Sequence, residues 1–156
     1  YDRCGLRYVR FWPVSGLPGV PIRRDCAPTL TLAFVSPTTF RSKGERNVLF
    51  PEPSLVFGSL LARWNAFAPA SLRLEVGAST LTAVKVAAHR LGTDVLDFGS
   101  YQESGFVGQA TYNLGDALSP EEARAVPALA AFAFYSGVGA KTTMGMGQAR
   151  RLGAAG

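Results

Sequence analysis

The chain is poor in the residues that build metal and redox centres. It has 156 residues with only two cysteines, one histidine and two methionines. Cys4 and Cys26 stand in no CxxC or histidine context, which argues against a zinc site and leaves them as buried thiols of a reduced, cytosolic protein. A long apolar run is also missing. The longest, Val126 to Tyr135, is too short to span a bilayer and contains Pro127. No basic segment followed by an apolar one opens the chain, so no secretory signal is read. Internal repeats are absent as well. The first residue is Tyr1, not methionine, from which the sequence is expected to begin inside a longer polypeptide.

What is present is enough apolar material for one core: hydrophobic residues make up 47% and charged residues 17%. Sixteen Lys+Arg against eleven Asp+Glu leave a net charge of +5. Thirteen of the cations are arginine, whose planar fork matches phosphate, so a polyanionic partner fits; a basic surface kept for solubility is the plainer alternative.

Residues 1–28 are rich in Pro, Gly and Arg without a sustained period, and read as a linker or the tail of a preceding, missing N-terminal domain. The folded domain is expected over 29–156. Leu30, Leu32 and Phe34 alternate in a strand that Ser36-Pro37 should end. Pro53 introduces a helix in which Val56, Leu60, Trp64 and Phe67 recur at helical spacing, with Phe57 and Leu61 widening the face and Arg63 lying off it; Pro69 stops it. That spacing assigns Phe57, Trp64 and Phe67 to the core. Leu81–Leu91 and Thr93–Phe98, around Gly92, and then Gly105–Leu114 read as a hairpin with an elaborated turn region. Ser119-Pro-Glu-Glu122 carries a capping box, Pro127 is expected to split the helix that follows, and Gly137 to close it. Met144 to Leu152 forms the last strand. The fold class is therefore α+β: a ferredoxin-like βαββαβ domain, RRM-like in layout, with an antiparallel sheet and two helices on one face.

Residues Gly137–Gly147 read Gly-Val-Gly-Ala-Lys-Thr-Thr-Met-Gly-Met-Gly. Glycine admits positive φ and lets backbone N–H groups approach a ligand, and successive N–H groups can form an anion nest. Lys141 adds a cation, Thr142 and Thr143 hydroxyl donors. A dinucleotide fingerprint or P-loop runs from strand to helix, whereas this segment leaves a helix and enters a strand. Neither motif is therefore read here. Gly137, Gly139, Lys141, Thr142, Thr143, Gly145 and Gly147 are thus candidates for contact with phosphates of a nucleic acid. Arg41, Lys43 and Arg46, in the loop between first strand and first helix, are further candidates, with a solvated charged loop as the alternative. Tyr101, among turn residues, is a candidate for base stacking. Arg150 and Arg151 either extend the positive surface or form a basic tail. His89, the single histidine, is a weak catalytic candidate because no second acid–base group accompanies it; RNA contact or a structural, solvent-facing role is the alternative. Asp94 and Asp97 stand three apart in a strand and face opposite sides, so no metal site is read there.

The glycine segment resembles the signature loop of the CRISPR-associated RAMP endoribonucleases that cut precursor CRISPR RNA. Ser36-Pro37-Thr-Thr-Phe40, Leu49-Phe50-Pro51-Glu-Pro53 and Leu60-Leu61-Ala-Arg63-Trp64-Asn65 are similar to that family's C-terminal domain, as is Gly105-Phe-Val-Gly108 with Tyr112. The resemblance implies an endoribonuclease built of two ferredoxin-like domains, working without metal or other cofactor. The ribose 2′-hydroxyl attacks the adjacent phosphate and leaves a 2′,3′-cyclic phosphate and a 5′-hydroxyl. It implies CRISPR repeat RNA and its processed crRNA as partners, a prokaryotic cytoplasmic setting and no membrane, and it admits a homodimer and subunits of a CRISPR interference complex. In many members the catalytic histidine lies in the N-terminal domain, which leaves the catalytic residues of this chain unknown. A non-catalytic RAMP subunit that holds guide RNA is the alternative.

Overall fold

The structure, a computed structural model, describes residues 7–8, 21–22, 29–41, 47–115 and 118–153. Its main elements follow the expected order: β1 (Thr29–Thr38), α1 (Pro53–Phe67), β2 (Lys85–Asp97), β3 (Gln102–Asn113), α2 (Glu122–Ser136) and β4 (Ala149–Leu152). The strands form one antiparallel sheet in the spatial order β2-β3-β1-β4. Each helix carries the chain across the sheet, and β1 and β3 come to lie side by side at its centre. Two short antiparallel pairs, Arg7–Tyr8 with Pro21–Ile22 and Phe40–Arg41 with Asn47–Val48, lie outside it. Most of 1–28, read as a linker or tail, lies outside the described residues, as do Lys43 and Arg46.

Alternation in the strands and the helical stripes meet in one core. Leu30, Leu32 and Phe34 from β1, with Phe106, Ala110 and Tyr112 from β3, face Val56, Phe57 and Leu60 of α1 and Val126, Leu129, Ala130 and Ala133 of α2. Phe57 packs edge-on against Tyr112 at 5.1 Å, and the Tyr112 hydroxyl donates to the Pro51 carbonyl at 3.0 Å, fixing the entry to α1. Burial pushes that phenol's pKa well up, so it serves as a neutral donor. The capping box forms as read: the Glu122 N–H donates to Ser119 Oγ at 3.2 Å, and the Ser119 N–H to Glu122 Oε2 at 3.0 Å. Thr80 also donates to Glu122, tying the short helix Ala78–Ala83 to the start of α2.

Several local readings are corrected. β1 continues through Ser36-Pro37, because a bulge between Phe34 and Thr38 removes the proline from the ladder. Gly92 is mid-strand, paired with Val107. The turn falls among the residues read as a turn, at 98–101, where Gly99 has φ 83° and donates to Asp97 Oδ1 at 2.7 Å. Leu81 belongs to the helix Ala78–Ala83, buried by its own packing, and not to a strand. Pro127 does not split α2; its ring is buried in the core, which offsets the lost backbone bond. Phe67 is 86% exposed, since the apolar stripe of α1 runs out before the chain turns extended at Ala68. Trp64 is only partly buried, edge-on to Phe132 at 5.1 Å. The last strand begins at Ala149, not Met144, because positive φ at Gly145 and Gly147 is incompatible with a strand.

Candidate nucleic-acid interface

The segment 137–147 leaves α2 and returns to the sheet as a closed loop. Its four glycines all have positive φ: 67° at Gly137, 79° at Gly139, 92° at Gly145 and 69° at Gly147. Three are required by close approach as well. A Cβ at Gly137 would stand 2.8 Å from the Thr142 methyl; one at Gly139 would meet the Thr39 carbonyl oxygen, and one at Gly147 that of Val138. At Gly145 a Cβ would meet nothing within 4 Å, which makes 145 the open crest.

Much of the backbone hydrogen-bonding capacity is spent inside the protein. Gly137 donates to Ala133, Val138 to Gly147 at 2.7 Å, Ala140 to Thr39 at 2.9 Å and Gly147 to Pro37 at 3.0 Å. The β1 bulge therefore has a purpose: it turns the Pro37 carbonyl toward the loop. Gly105 is needed beneath it, for a Cβ there would stand 2.6 Å from the Pro37 carbonyl carbon. Among the described residues, no acceptor is paired with the N–H groups of Gly139, Lys141, Thr142 and Thr143. The anion nest read in the sequence thus narrows to these four donors, of which 141–143 are consecutive. Thr143, Met144 and Gly145 are exposed, and Thr142 is half-buried with its methyl against Gly137 and Gly147.

Arg63 holds the loop from below. One guanidinium nitrogen donates to Ser136 O at 3.0 Å and Gly137 O at 2.8 Å, and the other donates to Gly139 O. These are orphan carbonyls at the end of α2 and in the turn after it, a place where a cation also meets the negative end of the helix. Burial lowers the Arg63 pKa, though a guanidinium remains charged. The sequence reading missed this residue because it lies off the apolar stripe of α1. Nothing local in the sequence signals a partner 73–76 residues away.

Lys141 is neither solvated nor extended toward solvent. Its ammonium lies 2.5 Å from Glu103 Oε2 on β3 and 4.4 Å over the Tyr101 ring. The carboxylate holds the Lys141 pKa above its usual value, and desolvation opposes this. Glu103 is lowered, first by Lys141 and then by Asn47, whose amide donates to Oε1 at 2.9 Å; Arg41 adds a smaller push. Arg41 is exposed and near this cluster. Tyr101 is 42% exposed in the hairpin turn, but already stacks on Phe98 at 5.0 Å. Glu103 and Asn47 were not singled out from the sequence, since nothing local signals a pairing across 38 or 56 residues.

His89 is exposed on β2, with the Phe50 ring edge-on at 5.5 Å. It is not brought to the loop's hydrogen-bond network. Arg150 is exposed; Arg151 is half-buried, and burial lowers its pKa. The register places Arg150, Ala33, Gln109 and Arg90 in one row across the sheet, so two arginines flank the face opposite the helices. Phe134 and Tyr135, 67% and 73% exposed, stand just before the loop; their position off the Leu129–Ala133 face was legible from helical period alone. Asp94 and Asp97 accept local backbone N–H groups, and among the described residues no three His, Cys, Asp or Glu side chains cluster as metal ligands. No described helix is long and apolar enough to cross a membrane.

A split βαβ sheet with a closed glycine-rich loop between its second helix and last strand defines a RAMP-type ferredoxin-like domain. The family model of the CRISPR-associated endoribonuclease Cas6 matches residues 32–149, and the chain belongs to that family. A Cas6 endoribonuclease of Mycobacterium tuberculosis is 34% identical over 143 residues, covering 88% of this chain and 43% of that protein. Among solved structures, a Cas6 product complex superposes with a TM-score of 0.68 at 40% identity, over 80% of this chain and 51% of the other. Thermus thermophilus Cas6 superposes with a TM-score of 0.68 at 37% identity, over 81% and 55%. The chain thus spans less than half the length of the curated relative and about half that of these solved chains.

Proposed function

We propose that this chain is the RNA-gripping part of a Cas6-type endoribonuclease that processes CRISPR precursor RNA at its repeats. The observation that carries the reading is the loop 137–147: a backbone held rigidly from inside by Arg63 and the β1 bulge, with the donors of Gly139 and 141–143 left without internal partners. Such donors suit phosphate oxygens, and Arg41 adds a cation nearby. The solved Cas6 relatives include a product complex and a substrate mimic complex, which supports RNA as the ligand.

The chemistry proposed for the whole protein is metal-independent. The ribose 2′-hydroxyl attacks the adjacent phosphorus as the 5′-oxygen leaves, giving a 2′,3′-cyclic phosphate and a 5′-hydroxyl. That reaction calls for a base, an acid and a cation at the developing charge. The single histidine stands on β2 against Phe50, without a second acid–base side chain hydrogen-bonded to it among the described residues. This chain accordingly contributes binding without efficient cleavage.

The test is binding of a CRISPR repeat RNA against a scrambled RNA of equal length across a salt series, with the products mapped at both ends. The full-length protein should prefer the repeat, lose affinity steeply with salt and leave cyclic-phosphate ends. The isolated chain should bind and cut little. Equal affinity for both RNAs, or no salt dependence, would remove the reading.

A further inference from the structure

Lys141 is the residue where the loop turns, and among the described residues it is the only non-glycine with positive φ, at 55°. For an L-residue that conformation is disfavoured by Cβ–carbonyl sterics, so the surrounding contacts must hold it. Its carbonyl accepts from Met144 N at 3.0 Å and Met146 N at 3.3 Å, so the rest of the loop is built on it. Its side chain runs the other way, to Glu103 beside the β2–β3 turn, over Tyr101 and 5.5 Å from the centre of the Phe98 ring. Glu103 is itself held by Asn47 from the short strand before α1. One carboxylate thereby ties three separate parts of the chain together at the loop's turning point.

Two roles for Lys141 make opposite demands on Glu103. If the ammonium met a phosphate, the carboxylate would be a competing anion that RNA must displace. If the ammonium is an anchor, the carboxylate is what keeps the loop backbone presented. Lys141 and Glu103 side chains are only 16% and 12% exposed, and the ammonium already has a carboxylate and a ring face as partners, which favours the anchor. We propose that Glu103 is a positioning residue for RNA engagement: through Lys141 it fixes the loop so that backbone donors, not the ammonium, meet the RNA. This rests on the RNA-binding reading above.

The experiment measures repeat-RNA affinity and its salt slope for the full-length protein carrying Glu103→Gln, Lys141→Ala, both together, and Lys141→Arg. Thermal unfolding of each is followed in parallel. Each single change should weaken binding by roughly tenfold, and the double variant should be no worse than either, as expected for one shared interaction. Lys141→Arg should recover most of the affinity, and the salt slope should stay at the wild-type value throughout. Asn47→Ala, which removes only the bond to the far oxygen of Glu103, should give a milder loss and keeps the test open if Glu103→Gln unfolds. Tighter binding by Glu103→Gln would overturn the proposal in favour of competition. So would a slope lowered by about one phosphate in Lys141→Ala alone, or wild-type affinity in Glu103→Gln. A wild-type protein that does not prefer repeat RNA would instead remove the underlying reading.

Discussion

Replacing Arg63 by alanine removes three hydrogen bonds at once, to the carbonyls of Ser136, Gly137 and Gly139. A net contribution of about 1 kcal/mol each is the conservative figure, and bonds from a charged donor run higher. Water reaches part of this half-buried site and replaces some of the loss. A destabilisation of about 2–4 kcal/mol follows, or a fall in Tm of roughly 5–15 °C for a chain of this size. Lysine at the same place has the charge but not the planar fork, so Arg63→Lys should recover less than half. Denaturant unfolding followed by circular dichroism supplies the total. Hydrogen exchange at Val138, Ala140 and Gly147 locates it, because these amides report on the loop's attachment to itself and to the β1 bulge. An Arg63→Ala protein within about 0.5 kcal/mol of wild type, or complete recovery by lysine, would show that the fork does not hold the loop.

Three other outcomes follow from the same geometry. Gly139→Ala should destabilise by about 2 kcal/mol or more, since it combines positive φ with a clash at the Thr39 carbonyl, whereas Gly145→Ala should cost only about 1 kcal/mol; equal costs in chemical denaturation would contradict the packing described. Phe57→Ala should cost about 3–5 kcal/mol and Phe67→Ser less than about 0.5 kcal/mol, although the two share one helix, and a large loss at 67 would place that ring in contact with something. The Glu103 carboxyl is lowered in the folded state, so the unfolded state binds the extra proton as pH falls. Its contribution is complete above the ordinary glutamate pKa of 4.5 and is lost as pH drops through the lower folded value. Unfolding measured from neutral pH to pH 3 should therefore show a flatter acid limb in Glu103→Gln, and an unchanged limb would deny the shift.

Short-range chemistry was legible in the chain itself. Alternation at Leu30, Leu32 and Phe34, the capping box at Ser119 and Glu122, and proline at the start of α1 are patterns written within a few residues of one another. The order of those elements narrows the sheet topology to a few arrangements, because two crossover helices leave few ways to bury one apolar face. The four glycines of 137–147 likewise announced positive φ, a property of single residues. What only the tertiary structure decided were the partners brought from far along the chain. It turned Pro37 from a strand end into a bulge that receives Gly147, and put Arg63 under three carbonyls of the loop. It matched Lys141 with Glu103 and left Phe67 in solvent. Periodicity records which face of an element is apolar, but not where that face stops being covered, nor which charge lies opposite another across a fold. Those depend on how α1, α2 and the β2–β3 hairpin pack together, and there the glycine-rich segment became a braced loop with a defined outer edge.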